Sequence, residues 1–352
     1  MDLKDKAISL LEDLIETPSL SKEEDKTAAL IFDFLKSNGV TPEPSGNNVW
    51  AKNLHFDSEK PTILLNSHHD TVKPNEGYTK APFRAITEGG KLFGLGSNDA
   101  GGCLVSLIAT FLHFYNHEGM SYNLILAATA EEEISGKGGI ESLILSLPAI
   151  DFAIVGEPTQ MNLAIAEKGL MVLDCKVEGQ AGHAARDEGE NAIYKALKDI
   201  EWFRNYAFEK ISDALGPVKM SVTVIEAGKQ HNVVPDECRF VVDVRTTDAY
   251  SNKQTLEIIQ AYVSCHVTPR STRLNPSGID VTHPIVKAGL SLGRATYGSP
   301  TLSDQALMPF ASVKIGPGDS ARSHTANEFV YIEEIEEGIE IYIKLIESIA
   351  YR

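Results

Sequence analysis

The segment that most constrains this chain is Asn123–Gly136 (NLILAATAEEEISG), where an apolar run ends in three consecutive glutamates. A short apolar run bounded by polar residues is typical of a buried strand. In an open α/β sheet, ligands collect at the carboxyl ends of the strands, so acids placed there are candidates for chemistry. A run of charge is more often a solvated surface, and the glutamates alone therefore do not indicate a site.

Two further apolar segments end in the same way. Pro61–Pro74 (PTILLNSHHDTVKP) leads from a predicted strand into His68 and Asp70. Asp151–Thr159 (DFAIVGEPT) leads from another into Glu157. Three strands that deliver histidine and carboxylate side chains to one edge of a sheet predict a metal site there. His68 and Asp70 project to the same side of an extended strand, where the carboxylate can orient the imidazole.

Composition limits the class of protein and its partners. A chain of 352 residues is long enough for two domains, and its 43% hydrophobic and 23% charged residues are ordinary for a globular protein. The formal net charge of −17 argues against nucleic acid and anionic membrane surfaces as partners. No apolar run approaches the roughly 20 residues that span a bilayer.

The N-terminus and the cysteines predict a cytoplasmic protein. The first residues (MDLKDKAISLLEDLIE) form an acidic amphipathic pattern rather than a basic, apolar signal peptide. The cysteines are scattered and form no CxxC pair, which predicts buried, reduced thiols. These are Cys103, Cys175, Cys238 and Cys265.

Hydrophobic periodicity predicts that helices and strands alternate at both ends of the chain. Two helices come first, and Ser21 and Glu24 have the spacing of a capping box before the second one. Strands and helices then alternate as far as residue 155, and the alternation returns from His283 with a helix predicted over 284–297. Such alternation indicates a mostly parallel sheet covered by helices.

The middle of the chain follows a different order. Residues 173–279 predict a β-α-β-β-α succession, which is typical of a ferredoxin-like α+β domain. We therefore predict a discontinuous α/β domain, formed by residues 1–172 and 280–352, into which the α+β domain is inserted.

Several common nucleotide and nucleophile motifs are absent from the sequence. Gly94–Asp99 (GLGSND) imitates the start of a dinucleotide-binding fingerprint, but Asp99 stands where the third glycine belongs. There is no Walker lysine motif and no Gly-x-Ser-x-Gly elbow, which removes the usual phosphate-binding and serine-hydrolase interpretations. Asp99 at the start of a predicted helix is either an N-cap or a carboxylate that could bridge two cations.

Seven motifs occur in order along the chain: SHHDTVKP, GLGSNDAGG, ATAEEEISG, VGEPT, GQAGHAAR, HNVVPDECRFVVDVR and SHTANE. Together they resemble the co-catalytic di-zinc aminoacylase and exopeptidase family of acetylornithine deacetylase, succinyl-diaminopimelate desuccinylase, acetyl-lysine deacetylase and carboxypeptidase G. The resemblance extends over essentially the whole chain. It implies a catalytic α/β domain with two zinc ions, for which cobalt could substitute. It also implies that the smaller inserted domain dimerises and acts as a lid.

The resemblance implies roles for individual residues of the α/β domain. Asp99 bridges the two metals, and Asp70 supports the ligand His68. Glu132 is the general base, so that Glu131 is the dispensable first acid of the run. The remaining ligands are His68 and Glu157 for one zinc and Glu133 and His324 for the other. Histidine and carboxylate ligands suit zinc, and a glutamate can transfer the proton of an attacking water to the leaving amine.

Three residues of the inserted domain are candidates for substrate contacts. The resemblance assigns His183 to stabilising the oxyanion in the site of the partner subunit of a homodimer. Arg245 is a candidate clamp for a substrate carboxylate, because arginine binds carboxylates bidentately, with a salt bridge to a strand neighbour as the structural alternative. Asn232 is a candidate polar contact to the substrate.

The sequence thus predicts a zinc-dependent amidohydrolase that removes the acyl group of an N-acyl amino acid. The first choice is N-acetyl-ornithine, cleaved to ornithine and acetate in arginine biosynthesis. Acetyl-lysine, acetylcitrulline and succinyl-ornithine remain alternative substrates, and a dipeptidase or carboxypeptidase with the same metals is a second enzyme interpretation. The non-enzyme interpretation is an inactive, metal-stabilised binding dimer, which would have no reason to keep Glu132.

Overall fold

The computed structural model describes residues 2–186 and 188–351, and these form two compact units. The first unit contains the chain up to Ile165, Gly278–Tyr297 and the chain from Ser303, and the second contains Ala166–Ser277 and Gly298–Leu302. The predicted junction between residues 172 and 173 falls inside a strand of the second unit, so that unit begins earlier than predicted. In the described ranges no helix combines the length and the apolar character needed to cross a bilayer.

The helices are α1 (Leu3–Glu16), α2 (Asp25–Ser37), α3 (Gly102–Phe114), α4 (Ile140–Leu143), α5 (Ala192–Asn205), α6 (Asn252–Tyr262), α7 (Pro284–Ser291) and α8 (Ile332–Ala350). The strands are β1 (Glu43–Ser45), β2 (Asn48–Lys52), β3 (Thr62–His68), β4 (Ile86–Glu88), β5 (Lys91–Phe93), β6 (Asn123–Thr129), β7 (Phe152–Val155), β8 (Leu163–Glu167), β9 (Gly169–Glu178), β10 (Gly182–His183), β11 (Lys219–Ala227), β12 (Val233–Val234), β13 (Glu237–Thr246), β14 (His266–Pro269), β15 (Ser277–Gly278), β16 (Thr296–Ser299), β17 (Ala311–Lys314) and β18 (Phe329–Tyr331).

A largely parallel sheet forms the centre of the first unit. Strands β6, β3, β7 and β17 lie side by side and parallel, while β2 pairs antiparallel with β6 and β8 pairs antiparallel with β17. The predicted α/β fold with a mostly parallel sheet is confirmed. Because the four central strands run in one direction, their carboxyl ends meet at one edge of the sheet.

Both faces of the central strands are covered. Every residue of β3 is buried, which is typical of a parallel strand between two layers of helix. Ile63 and Leu65 belong to a core cluster with residues of α1, α2, α3, α7 and α8. Leu64 points to the opposite face and packs with Ile140 and Leu143 of α4. The alternation of side chains along the strand therefore explains why the whole segment is apolar.

The predicted capping box before α2 is wrong. The helix begins at Asp25 with Glu24 as its N-cap residue, and no side chain caps it. The Ser21 hydroxyl instead donates to Asp70 Oδ2 at 2.7 Å, and Glu24 Oε1 accepts the N–H groups of Lys22 and Glu131. Both side chains thus serve contacts that are distant in the sequence.

The helix predicted over 284–297 is also too long. It ends at Ser291, and residues 296–299 form strand β16. Gly293 adopts a positive φ of 77°, and the N–H of Arg294 donates to the carbonyl of Gly289. This is the hydrogen-bond pattern with which a glycine ends a helix.

The four-stranded sheet of the second unit and its two helices follow in the order β9-α5-β11-β13-α6-β14, while the short strands β10 and β12 pair separately. The four-stranded sheet runs β11-β13-β9-β14 with every pair antiparallel. This is the βαββαβ succession of a ferredoxin-like domain. Alternate residues of β9, such as Leu173 and Cys175, pack with Ala196 and Phe203 of α5 in one cluster. The cysteines named above are all buried and free.

The packing of the sheet can be tested with a matched pair of leucines. Leu65→Ala should lower the free energy of unfolding by about 2–5 kcal/mol, because it leaves a cavity at a fully buried strand position. Leu54→Ala, at a position that is 56% exposed, should change it by less than about 0.5 kcal/mol. Chemical denaturation measures both, and equal losses would contradict the burial of β3 between two layers.

Candidate metal centre

Segments that follow the parallel strands bring the predicted site residues together. His68 is the last residue of β3, Glu132 and Glu133 form a 3-10 turn shortly after β6, and Glu157 lies just beyond β7. Asp99 lies in the turn Ser97–Gly101 that precedes α3. The common edge of the sheet therefore positions side chains that are far apart in the sequence.

Two groups of three residues could each hold a metal ion. Within each group the potential ligand atoms lie within 4.8 Å of one another. His68 is common to both, and its Nε2 lies 3.3 Å from Asp99 Oδ1, 3.7 Å from Glu157 Oε1 and 3.8 Å from Glu132 Oε2. The groups are His68, Asp99 and Glu133, and His68, Glu132 and Glu157.

His324 lies near the Asp99 carboxylate oxygen that does not face His68. Its Nε2 is 3.0 Å from Glu133 Oε2 and 3.7 Å from Asp99 Oδ2. Asp99 thus presents one carboxylate oxygen to each histidine. The structure brings all five predicted ligands to the same edge of the sheet, in an order that would suit two cations with Asp99 between them.

Asp70 fixes the orientation of the His68 ring. The Nδ1 of His68 lies 3.0 Å from the backbone oxygen of Asp70 and 3.4 Å from Asp70 Oδ1. A proton on Nδ1 is therefore engaged there, and Nε2 is left to face the carboxylates. The Asp70 carboxylate also accepts the N–H groups of Glu132, at 3.0 Å, and of Glu133, at 3.2 Å. Asp70 therefore positions both His68, at the end of β3, and the turn that carries Glu132 and Glu133.

Glu131 faces away from this group of residues. It has a positive φ of 56°, and its N–H donates to Glu24 Oε1 at 3.2 Å. Its own Oε2 accepts the N–H of Gly138 at 3.2 Å, and any side chain at Gly136 would collide with it. Glu131 belongs to neither metal group.

The site concentrates negative charge in a poorly solvated place. Burial raises the pKa of Glu132 well above its usual range, and the charges of Glu157, Asp304 and Glu133 raise it further. Burial would lower the pKa of His68, but the surrounding carboxylates outweigh burial and raise it well above normal. The hydrogen bond to Glu133 raises the pKa of His324 to about 9. These shifts all favour bound positive charge at the site.

The residues also fit metal ions by their chemistry. Glu133 Oε1 is buried, and within residues 2–186 and 188–351 it has no hydrogen-bond partner. A bound cation would supply that partner. Imidazole nitrogens combined with carboxylate oxygens are a donor set that zinc accepts in catalytic sites.

Two buried acids near the site escaped the sequence analysis. Asp304 accepts the hydroxyl of Thr129 at 2.6 Å, and burial raises the pKa of Asp304 to about 6. Glu328 accepts backbone N–H groups from the turn that carries Asp99, and burial raises the pKa of Glu328 to about 8. The motif SHTANE, which ends in Glu328, is the sequence signal that could have pointed to Glu328.

His183 and Asn232 lie on facing segments of the second unit. His183 is the exposed last residue of β10, which pairs with β12, and Asn232 immediately precedes β12. His183 Nδ1 accepts the N–H of Ala185 at 3.1 Å, so that the proton of a neutral ring lies on the exposed Nε2. His183 can therefore donate a hydrogen bond outward.

The structure gives Arg245 an internal partner. Its Nε and Nη2 donate to the two carboxylate oxygens of Asp243 at 2.9 and 3.1 Å. This salt bridge with a neighbour on the same strand is the structural alternative to a substrate clamp that the sequence left open. A substrate carboxylate would have to compete with Asp243 for the guanidinium.

The comparison with protein families identifies the class of this site. Residues 64–348 match peptidase family M20/M25/M40. The chain belongs to this family. The family resemblance drawn from the seven motifs is thereby confirmed, and membership makes the chain a hydrolase of N-acyl amino acids or peptides.

Relatives in the family span several named activities. A candidate LysW-lysine/LysW-ornithine hydrolase of Pyrobaculum aerophilum is 28% identical over 342 residues, covering 93% of each chain. The succinyl-diaminopimelate desuccinylase of Rickettsia felis is 28% identical over 280 residues, covering 72% of this chain and 74% of that protein.

Solved structures of the family share the fold. The aminopeptidase PepT of Bacillus cereus superposes with a TM-score of 0.77 at 17% identity, with 98% of each chain covered. A dinuclear metal binding peptidase from the M20 family of Bacillus subtilis superposes with a TM-score of 0.73 at 18% identity, with 98% of this chain and 97% of that chain covered. At such identities the likeness establishes the fold alone.

The adjacent glutamates provide a matched test of the metal centre. Glu133→Gln should weaken zinc binding by more than the roughly 10- to 100-fold that follows loss of a supporting residue, because it removes a ligand candidate itself. Glu131→Gln should bind zinc as the unmodified chain does, because its carboxylate lies against Gly138. Zinc titration against a competing chelator measures both, and the opposite ranking would shift the assignment along the glutamate run.

Proposed function

We propose that this chain is a two-zinc deacylase that cleaves N-acetyl-ornithine to ornithine and acetate, a step of arginine biosynthesis. The observation that carries the metal-dependent chemistry is Asp99, with one oxygen facing His68 and the other facing His324. The names of the two relatives described above refer to diamino acids, namely lysine, ornithine and diaminopimelate. Those names support a diamino acid as the released product.

The proposed reaction needs two kinds of residue: ligands that hold the metal ions, and a general base that transfers a proton. Two zinc ions, when bound, lower the pKa of a coordinated water and polarise the acyl carbonyl. Glu132 accepts a proton from the attacking water and returns it to the leaving amine. Burial raises the pKa of Glu132, which strengthens its carboxylate as a proton acceptor. The proposed ligands are His68, Asp99, Glu133, Glu157 and His324.

The contact between Glu133 and His324 supports this choice of register. Glu132 Oε2 lies 3.8 Å from His68, about as far as Glu157 does at 3.7 Å, so distance from His68 alone would allow either as a ligand. Glu133 Oε2, in contrast, lies 3.0 Å from the second histidine. Assigning Glu133 to the metal at His324 leaves Glu132 as the acid available for proton transfer.

We propose in addition that the second unit forms a homodimer in which His183 completes the partner's site. Strand β11 is at the edge of its sheet, and residues 223–227 are exposed. Val224 and Ile225 are 47% and 53% exposed there, and Tyr194 and Leu197 of α5 are 70% and 53% exposed. An exposed edge strand beside apolar side chains is suited to pairing with a second copy across a two-fold axis.

The remaining proposals concern substrate contacts and location. Asn232 and, in competition with Asp243, Arg245 are proposed to contact the substrate's polar groups. The four buried, free thiols support a reducing compartment, and we propose the cytoplasm.

A substrate screen on the zinc-loaded protein tests the proposed reaction. N-acetyl-ornithine should have the highest kcat/KM in a panel with acetyl-lysine, acetylcitrulline, succinyl-ornithine and a dipeptide. Glu132→Gln should lower the rate by about 10²- to 10⁴-fold on each of these while zinc binding is retained, because it keeps the shape of the side chain and removes the base. Preference for the dipeptide would reject the deacylase, and tight binding without turnover would favour an inactive binding dimer.

Hybrid dimers test whether His183 acts in trans. Glu132→Gln and His183→Ala should each be nearly inactive alone. When they are unfolded and refolded together, half of the dimers are hybrids, and each hybrid has one site with both groups intact. Activity should therefore recover to about one quarter (½ × ½) of refolded wild type. If His183 acts in cis, every site lacks one group, and the mixture would stay as inactive as its parents.

A further inference from the structure

We propose that Glu328 is a positioning residue that fixes Asp99 and thereby sets the affinity of the site for both metal ions. The inference rests on the proposed two-metal function, and it adds a residue that contacts no metal itself. Glu328 acts through the backbone of the turn that carries Asp99.

The carboxylate of Glu328 is buried and fully engaged with that turn. Its residue is 2% exposed. Oε1 accepts the N–H groups of Asn98 and Asp99, each at 2.9 Å, and Oε2 accepts the N–H of Gly96 at 3.2 Å. Three backbone donors of one short turn therefore converge on a single side chain.

The turn needs such an acceptor because its backbone is irregular. Gly96 has a φ of 76°, and Asp99 and Ala100 both have non-helical angles, with φ −119° and ψ 96° at Asp99, just before α3 begins. Buried N–H groups without helical partners are costly unless another acceptor satisfies them. Glu328 supplies that acceptor at the residue whose side chain is proposed to bridge the metals.

The segment that carries Glu328 is itself firmly held. The next residues, Phe329–Tyr331, form β18, which pairs with β5, and the backbone carbonyl of Glu328 accepts the N–H of Gly94. Asn327 Oδ1 accepts the N–H groups of Thr79 and Lys80 at 3.0 and 2.9 Å. The position of the carboxylate is thus fixed on both sides along the chain.

The same segment also begins with a proposed ligand, His324. A single stretch, residues 324–328, therefore supplies one ligand directly and holds the bridging ligand indirectly. Movement of this stretch would displace His324 directly and Asp99 through its turn. Because Asp99 is proposed to bridge the two metal ions, Glu328 should influence the binding of both.

Glu328→Gln tests the proposal with little change in shape. The amide keeps one acceptor oxygen and places an N–H₂ group against at least one of the three backbone donors. Zinc affinity of the full chain, measured by titration against a competing chelator, should fall about 10- to 100-fold, the range found when a supporting residue of a metal site is lost. Both zinc equivalents should be weakened.

Asp199→Asn is the matched control. Asp199 is 5% exposed, and its carboxylate accepts the N–H groups of Ser264 and Cys265 at 3.0 and 2.8 Å. Like Glu328, Asp199 is a buried carboxylate that accepts backbone N–H groups, but the segment it holds carries no proposed ligand. The control should lose thermal stability and keep wild-type zinc affinity, whereas Glu328→Gln should lose both.

The outcomes separate this inference from the function on which it rests. Wild-type zinc affinity in folded Glu328→Gln would reduce Glu328 to a structural role and overturn the proposal. Failure of the wild-type chain to bind zinc would overturn the two-metal function instead. If Glu328→Gln does not fold, Glu328→Asp keeps the charge but shortens the reach, and wild-type affinity in that variant would also overturn the proposal.

Discussion

Hydrogen bonds from loop N–H groups to buried carboxylates hold the candidate metal centre in place. Asp70 accepts N–H groups of the turn at Glu132 and Glu133, and Glu24 accepts the one at Glu131. Glu328 does the same for the turn at Asp99. Each buried N–H left without an acceptor would cost about 1–3 kcal/mol, so these contacts largely determine the path of the loops. The ligand-bearing segments are consequently ordered by protein contacts.

This way of building a site has an electrostatic consequence. Carboxylates that satisfy loop donors lie beside carboxylates that face the histidines, and burial limits how far water can screen them. Burial and then the neighbouring carboxylates raise the pKa of Glu132, and the hydrogen bond to Glu133 raises the pKa of His324 to about 9. Divalent cations would offset the negative charge of these carboxylates, because they replace protons with a larger charge at the same atoms. The fold thus provides both the negative charge and the arrangement of side chains that metal binding requires.

The sequence was sufficient for features that depend on local pattern. Apolar runs ending in His68, Glu133 and Glu157 were enough to place ligands at one sheet edge, because strand direction follows from β/α alternation. Contacts between distant residues were not accessible in this way. Ser21 and Glu24 have capping-box spacing, but their partners are Asp70 and Glu131, which only the folded chain brings near. Glu328 is likewise separated from Asp99 by more than two hundred residues, and no periodicity links them.

The metal centre explains the reaction class better than it explains the substrate. Amide hydrolysis would make the same demand on the proposed ligands His68 and Asp99 and on the proposed base Glu132 whatever amine leaves, because metal ions held there would act on the acyl carbonyl and the water. Selectivity must therefore come from other side chains. Arg245 already donates two hydrogen bonds to Asp243, so a substrate carboxylate would have to compete with that ion pair. His183 and Asn232 are exposed on facing segments, and the substrate contacts proposed for them do not require an internal salt bridge to be displaced, whereas the contact proposed for Arg245 does.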